Sequence, residues 1–155
     1  GDPDFDYDTV VAYRTKLMEE SLNQNGIELK KGACELLSFL KNKGITIAIA
    51  TASPVERART YLEKTGIQNY FDRIISARNM KEGKPSPDVY QFAVKELGLT
   101  AEECIAVEDS PNGVLSASRA SLKVIMVPDL TPADSNLKKI LFAQVESLDK
   151  IISLI

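Results

Sequence analysis

The chain has 155 residues, 44% of them hydrophobic, with 19 Lys and Arg against 22 Asp and Glu. That is enough for one compact core, and the net charge of -3, with both signs interspersed, leaves no basic stripe for nucleic acid. Histidine is absent, which excludes Ser-His and Cys-His nucleophiles and His-based zinc sites. Chemistry falls to carboxylates, Lys, Ser/Thr and a hard cation. No apolar run approaches the roughly 20 residues of a membrane span, and Gly1-Asp2-Pro3-Asp4 does not read as a signal peptide. The expectation is a cytoplasmic protein with no membrane partner. Cys34 and Cys104 lie in apolar contexts and read as reduced core residues.

In chain order, residues 8–24 read as an amphipathic helix with Val11, Leu17, Met18 and Leu22 near one face and Gly26 as its stop. A second helix covers about 32–43, with Leu36, Leu37 and Leu40 inward and Gly44 past its end. Ile45–Ala50 has almost no polar alternation, the pattern of a parallel strand buried on both faces. Ser53-Pro54-Val55-Glu56 reads as a capping box opening a helix that stops near Gly66. A short strand at 73–76 follows, then a polar loop and a helix from Pro87 to Leu97 closed by Gly98. Thr100-Ala101-Glu102-Glu103 is another capping box before the strand Cys104–Val107. A helix of small residues from Gly113 to Ala120 leads to a strand at 123–127, and 136–155 reads as helical with one irregular stretch. Alternating strands and helices predict an α/β fold, a parallel sheet with helices on both faces.

Three apolar runs then end on polar groups that each meet a Ser-Pro step: Thr51-Ala52-Ser53-Pro54, Lys84-Pro85-Ser86-Pro87 and Glu108-Asp109-Ser110-Pro111. Ligands of open parallel sheets bind outside the carboxyl ends of the strands, where helix N-termini also favour anions. Thr51 and the N–H of Ala52 can donate to phosphoryl oxygens, and Lys84 can offset their charge. Glu108 and Asp109 are oxygen donors suited to Mg²⁺, which relieves the repulsion of adjacent carboxylates. Taken singly, Ser53, Ser86 and Ser110 read as helix N-caps.

In that order, Ala50-Thr51-Ala52-Ser53, Gly83-Lys84-Pro85-Ser86-Pro87-Asp88 and Val107-Glu108-Asp109-Ser110-Pro111-Asn112-Gly113 resemble the haloacid dehalogenase superfamily over about residues 30–129, in its branch of β-phosphoglucomutase and sugar-phosphate phosphatases. The resemblance implies a three-layer Rossmann-like core with Thr51 binding phosphate, Lys84 stabilising phosphoryl charge, and Glu108 and Asp109 at a Mg²⁺ site, Asp109 favoured as direct ligand. It implies hydrolysis of a small phosphorylated metabolite through an aspartyl-phosphate. The alternatives are a β-phosphoglucomutase-type mutase and a non-catalytic phosphate- or metal-binding pseudo-phosphatase.

The family's Asp-x-Asp-Gly-Thr nucleophile motif has no full counterpart. Asp6-Tyr7-Asp8-Thr9-Val10 comes nearest, but no apolar strand precedes it and the turn glycine is missing. Asp6 and Asp8 therefore read as loop residues and a helix N-cap. The chain accordingly reads as part of a longer enzyme. Residues 1–30 would be the end of a helical cap and 31–155 a core lacking its first strand, that strand being supplied from upstream or by another polypeptide.

Overall fold

The computed structural model describes residues 6–155. Helix α1 spans Tyr7–Asn25, with the Asp6 carboxylate accepting the Thr9 N–H at 3.0 Å as its N-cap. Asp8 sits in the first turn of this helix. The predicted inward face of α1 is only partly covered: Val11 and Leu22 are half-buried, whereas Leu17 is exposed. Then follow α2 (Ala33–Asn42), β1 (Ala48–Thr51), α3 (Val55–Lys64), β2 (Arg73–Ser76), α4 (Asp88–Leu97), β3 (Ile105–Glu108), α5 (Pro111–Arg119), β4 (Lys123–Met126) and β5 (Ala143–Gln144). No helix of the described residues is long and apolar enough to cross a membrane.

Among the described residues all strand pairings are parallel, and helices lie on both faces, as predicted. The strands form two sheets, however. β1 pairs with β2, Thr51 opposite Ser76, and β3, β4 and β5 form the other sheet in that order, Glu108 opposite Met126. Helices bridge the two sheets. On one face a core of Ile75, Val89, Tyr90, Ala106, Val114, Val124 and Met126, with Ala48 and Ala50 against it, continues across both. On the other, Leu36 of α2 packs with Ile125, Val127 and Ile151, while Leu37 packs with Ile47, Leu62 and Ile67. Between the bridging helices, one edge of β1 and one edge of β3 have no strand partner among the described residues.

Burial differs among the strands. In β4, paired on both sides, Val124, Ile125 and Met126 are completely buried. In β3 only Ala106 and Glu108 are buried, and Ile105 and Val107 remain 42% and 40% exposed. The residues of β1 are all half-buried, where complete burial on both faces was predicted. In β3 the exposed Ile105 and Val107 alternate with the buried Ala106 and Glu108, so one face of the strand is covered and the other is not.

Other boundaries differ for local reasons. β1 begins at Ala48 instead of Ile45 because the Ile45 N–H closes the end of α2 on Leu40 and the Ile47 N–H is taken by the Asp72 carboxylate at 2.9 Å. Ser53 does not cap α3, whose N-cap is Pro54 with no side-chain bond, so that predicted capping box is absent. Ser86 likewise does not cap α4; its hydroxyl donates to Asp88 at 2.6 Å and Pro87 holds the N-cap. The Ser110 cap and the Thr100–Glu103 capping box are present. The tail is not α-helical: two 3₁₀ turns, Leu137–Lys139 and Leu148–Ser153, flank β5. Cys34 is exposed and Cys104 half-buried, and both are free thiols, so neither is the core residue expected.

Candidate active site

Parallel pairing places Thr51, Ser76, Glu108 and Met126 at the carboxyl ends of their strands. Thr51 ends β1, and its Oγ1 accepts the Ser53 N–H at 3.0 Å, which closes the turn and leaves the hydroxyl proton available to donate. Ser76 at the end of β2 holds the same turn by donating to the Ser53 carbonyl at 2.8 Å. Ala52 is exposed in that turn.

Lys84 reaches this edge from the loop before α4. Its Nζ donates to the Ala50 carbonyl of β1 at 3.3 Å and to Glu108 Oε1 at the end of β3. The ammonium thus spans the opening between the two free strand edges. The loop is fixed from below by α5: Ser116, completely buried, donates to the Ser86 carbonyl at 2.5 Å, and Arg119 donates to the Pro85 carbonyl at 2.9 Å. A charge that must meet an anion benefits from a backbone that does not wander.

Tyr90 on α4 lies beneath the pair. Its hydroxyl donates to Glu108 Oε1, and the Lys84 ammonium sits 5.0 Å from its ring centroid. Burial, then the Glu108 charge and hydrogen bond and the Asp109 charge, push this phenol far above its ordinary range. Tyr90 is therefore a fixed donor. Glu108 is itself buried, and its Oε2 accepts the Asp109 N–H at 3.3 Å. Asp109 is exposed at the strand end.

Of the residues the sequence singled out, the structure brings Lys84 and Glu108 into contact. Thr51 and Ala52 follow the residue whose carbonyl Lys84 holds, and Asp109 follows Glu108. No sequence pattern singled out Tyr90, Ser116 or Arg119. A tyrosine two residues into a helix after Lys-Pro-Ser-Pro was the available signal, because buried tyrosine hydroxyls usually find a partner.

Among the described residues no group of three or more Asp, Glu, Cys or His converges. Two adjacent carboxylates nevertheless fit Mg²⁺, which is commonly held by one or two carboxylates and several waters. A groove of about 430 Å³ between α3 and β2, lined by Arg59, Phe71 and Arg73, touches none of these residues. The strand ends instead carry a hydroxyl, an ammonium and two carboxylates.

Known proteins resemble this chain in sequence and in fold. Hexitol phosphatase A of Escherichia coli (strain K12) is 41% identical over 118 residues, covering 75% of this chain and 52% of that protein. The phosphorylated carbohydrates phosphatase of Thermotoga maritima is 31% identical over 120 residues, covering 76% and 56%. This chain therefore spans about half the length of the curated relatives it matches. The crystal structure of CbbY from Rhodobacter sphaeroides in complex with phosphate superposes with a TM-score of 0.80 at 25% identity, covering 96% of this chain and 67% of that one. The profile of the haloacid dehalogenase-like hydrolases matches residues 4–127, and the chain belongs to that family.

Proposed function

We propose that this chain forms the phosphate- and cation-holding part of an enzyme that hydrolyses a small phosphomonoester, a sugar phosphate in particular. The observation that supports this most is Lys84, whose ammonium joins Ala50 of β1 to Glu108 of β3 across an unfilled strand position. The relatives' names add the substrate class: one is a hexitol phosphatase and another acts on phosphorylated carbohydrates.

In this reading the space between β1 and β3 takes an extended apolar strand, contributed from upstream in a longer polypeptide or by another polypeptide. Residues 1–30 then belong to a helical cap and 31–155 to the core. The incoming strand brings the aspartate nucleophile to the carboxyl edge, beside Lys84. Thr51 donates its hydroxyl proton and Ala52 its N–H to the phosphoryl oxygens, and Lys84 offsets the negative charge that builds on them. Asp109, with Glu108 Oε2, would hold Mg²⁺, the incoming aspartate adding a further oxygen. Bound there, Mg²⁺ would supply Lewis-acid charge neutralisation at the phosphoryl group. An enzyme working on soluble metabolites fits a cytoplasmic setting.

The test is hydrolysis of an aryl phosphate by the complete polypeptide with and without Mg²⁺. Activity should require the cation, and Asp109→Asn should raise the Mg²⁺ concentration for half-maximal rate about tenfold or more. A complete polypeptide that is inactive, or indifferent to Mg²⁺, overturns the reading. An unchanged Mg²⁺ requirement in the variant removes Asp109 from the cation site.

A further inference from the structure

The Glu108 carboxylate is held unevenly. Oε1 takes both the Tyr90 hydroxyl and the Lys84 ammonium, whereas Oε2 takes only the Asp109 N–H, at 3.3 Å. The two donors on Oε1 differ in permanence. The Lys84 side chain is 18% exposed and, in the proposed function, is the group that meets a phosphoryl oxygen. Tyr90 is fixed in the first turn of α4, 7% exposed and packed in the core that joins the two sheets. When the ammonium is drawn to substrate, the Tyr90 hydroxyl is the donor that still occupies Oε1.

We infer that Tyr90 is a positioning residue that sets the cation preference of the site, by leaving Glu108 a single oxygen with which to reach a metal. The inference rests on the proposed cation site at Glu108 and Asp109. The chemistry follows from the coordination habits of the two common hard cations. Ca²⁺ takes 6–8 oxygens in flexible geometry and often binds a carboxylate through both oxygens, whereas Mg²⁺ takes six in a near-ideal octahedron. A carboxylate held by one oxygen suits Mg²⁺ and denies Ca²⁺ its second donor. Gly113 limits the alternative: a side chain there would overlap Glu108 Oε2, so the start of α5 already closes on the carboxylate and restricts its rotation. The hydroxyl of Tyr90 thus acts through Glu108 without touching cation or substrate.

The experiment is calorimetric titration of the complete polypeptide and its Tyr90→Phe variant with MgCl₂ and with CaCl₂, alongside the melting temperature of each. Phenylalanine keeps the ring and removes only the donor. The variant should bind Ca²⁺ about tenfold more tightly relative to Mg²⁺ than the wild type does, the size of effect expected when an outer partner of a metal ligand is lost. Ca²⁺ should correspondingly become a stronger inhibitor of phosphate hydrolysis. A residue that merely supports the fold would weaken both cations equally and lower the melting temperature. An unchanged Ca²⁺-to-Mg²⁺ ratio in a protein that still binds Mg²⁺ overturns this inference alone. Absence of cation binding in the wild type overturns it together with the proposed function.

Discussion

Replacing Lys84 with alanine should cut turnover of a phosphomonoester by the complete polypeptide about a hundredfold or more, the scale seen when one preorganised stabiliser of transition-state charge is removed. The loss should fall on kcat more than on KM, because the charge Lys84 meets grows during transfer. Stability should drop as well. The Glu108 side chain is only 6% exposed and that of Lys84 only 18%, and removing one member of a buried pair leaves a charge without its counter-ion, at a cost of about 3 kcal/mol. The Tyr90 hydroxyl remains on Oε1 and moderates that cost. Steady-state kinetics and a denaturant melt separate the two effects. Turnover at the wild-type level in a merely destabilised protein would remove Lys84 from the chemistry and leave it a structural counter-ion.

Gly113→Ala should be the second severe change. Gly113 lies in the first turn of α5, where its N–H donates to Ser110 Oγ at 3.2 Å, and an added methyl would overlap both oxygens and the carboxyl carbon of Glu108. Its backbone is not left-handed, so the need for glycine comes from close approach and not from φ. Glu108 cannot simply swing aside, since Tyr90, Lys84 and the Asp109 N–H hold both of its oxygens. Either α5 retreats or the carboxylate leaves its donors. The expected penalty is about 1–3 kcal/mol of overpacking, together with loss of Mg²⁺-dependent activity in the complete polypeptide. A variant with wild-type stability and activity would show that the approach of α5 to Glu108 is dispensable.

The three motif-bearing strand ends were legible because each pairs an apolar run with a polar terminus and a Ser-Pro turn, all local features. What surrounds them was not. Ser116 and Arg119 support the Lys84 loop from about 30 residues away in sequence, and such contacts leave no local pattern. Tyr90 shares the helical spacing of Val89 and Ala93 and reads as plain core until its hydroxyl is placed on Glu108. Ser53 and Ser86 look like N-caps, but Pro54 and Pro87 take the cap positions and leave the serines to turn and loop bonds. β5 is only two residues long, and its pairing with Ile125 and Met126 comes from tertiary contact. The division of the strands into two sheets, with Ile105 and Val107 left exposed, appears only in the strand pairing and burial.

We propose that the phosphoryl site is divided between this chain and a strand that enters between β1 and β3. Amide hydrogen exchange on the isolated chain, residue by residue, tests it most directly. Val124–Met126 of β4, paired on both sides, should be strongly protected. Amides of Ala48–Ala50 and Ile105–Val107 that the β1–β2 and β3–β4 ladders do not use should exchange far faster, and become protected when the completing strand is present. Protection of those amides equal to that of β4 in the isolated monomer would rule out an incoming strand.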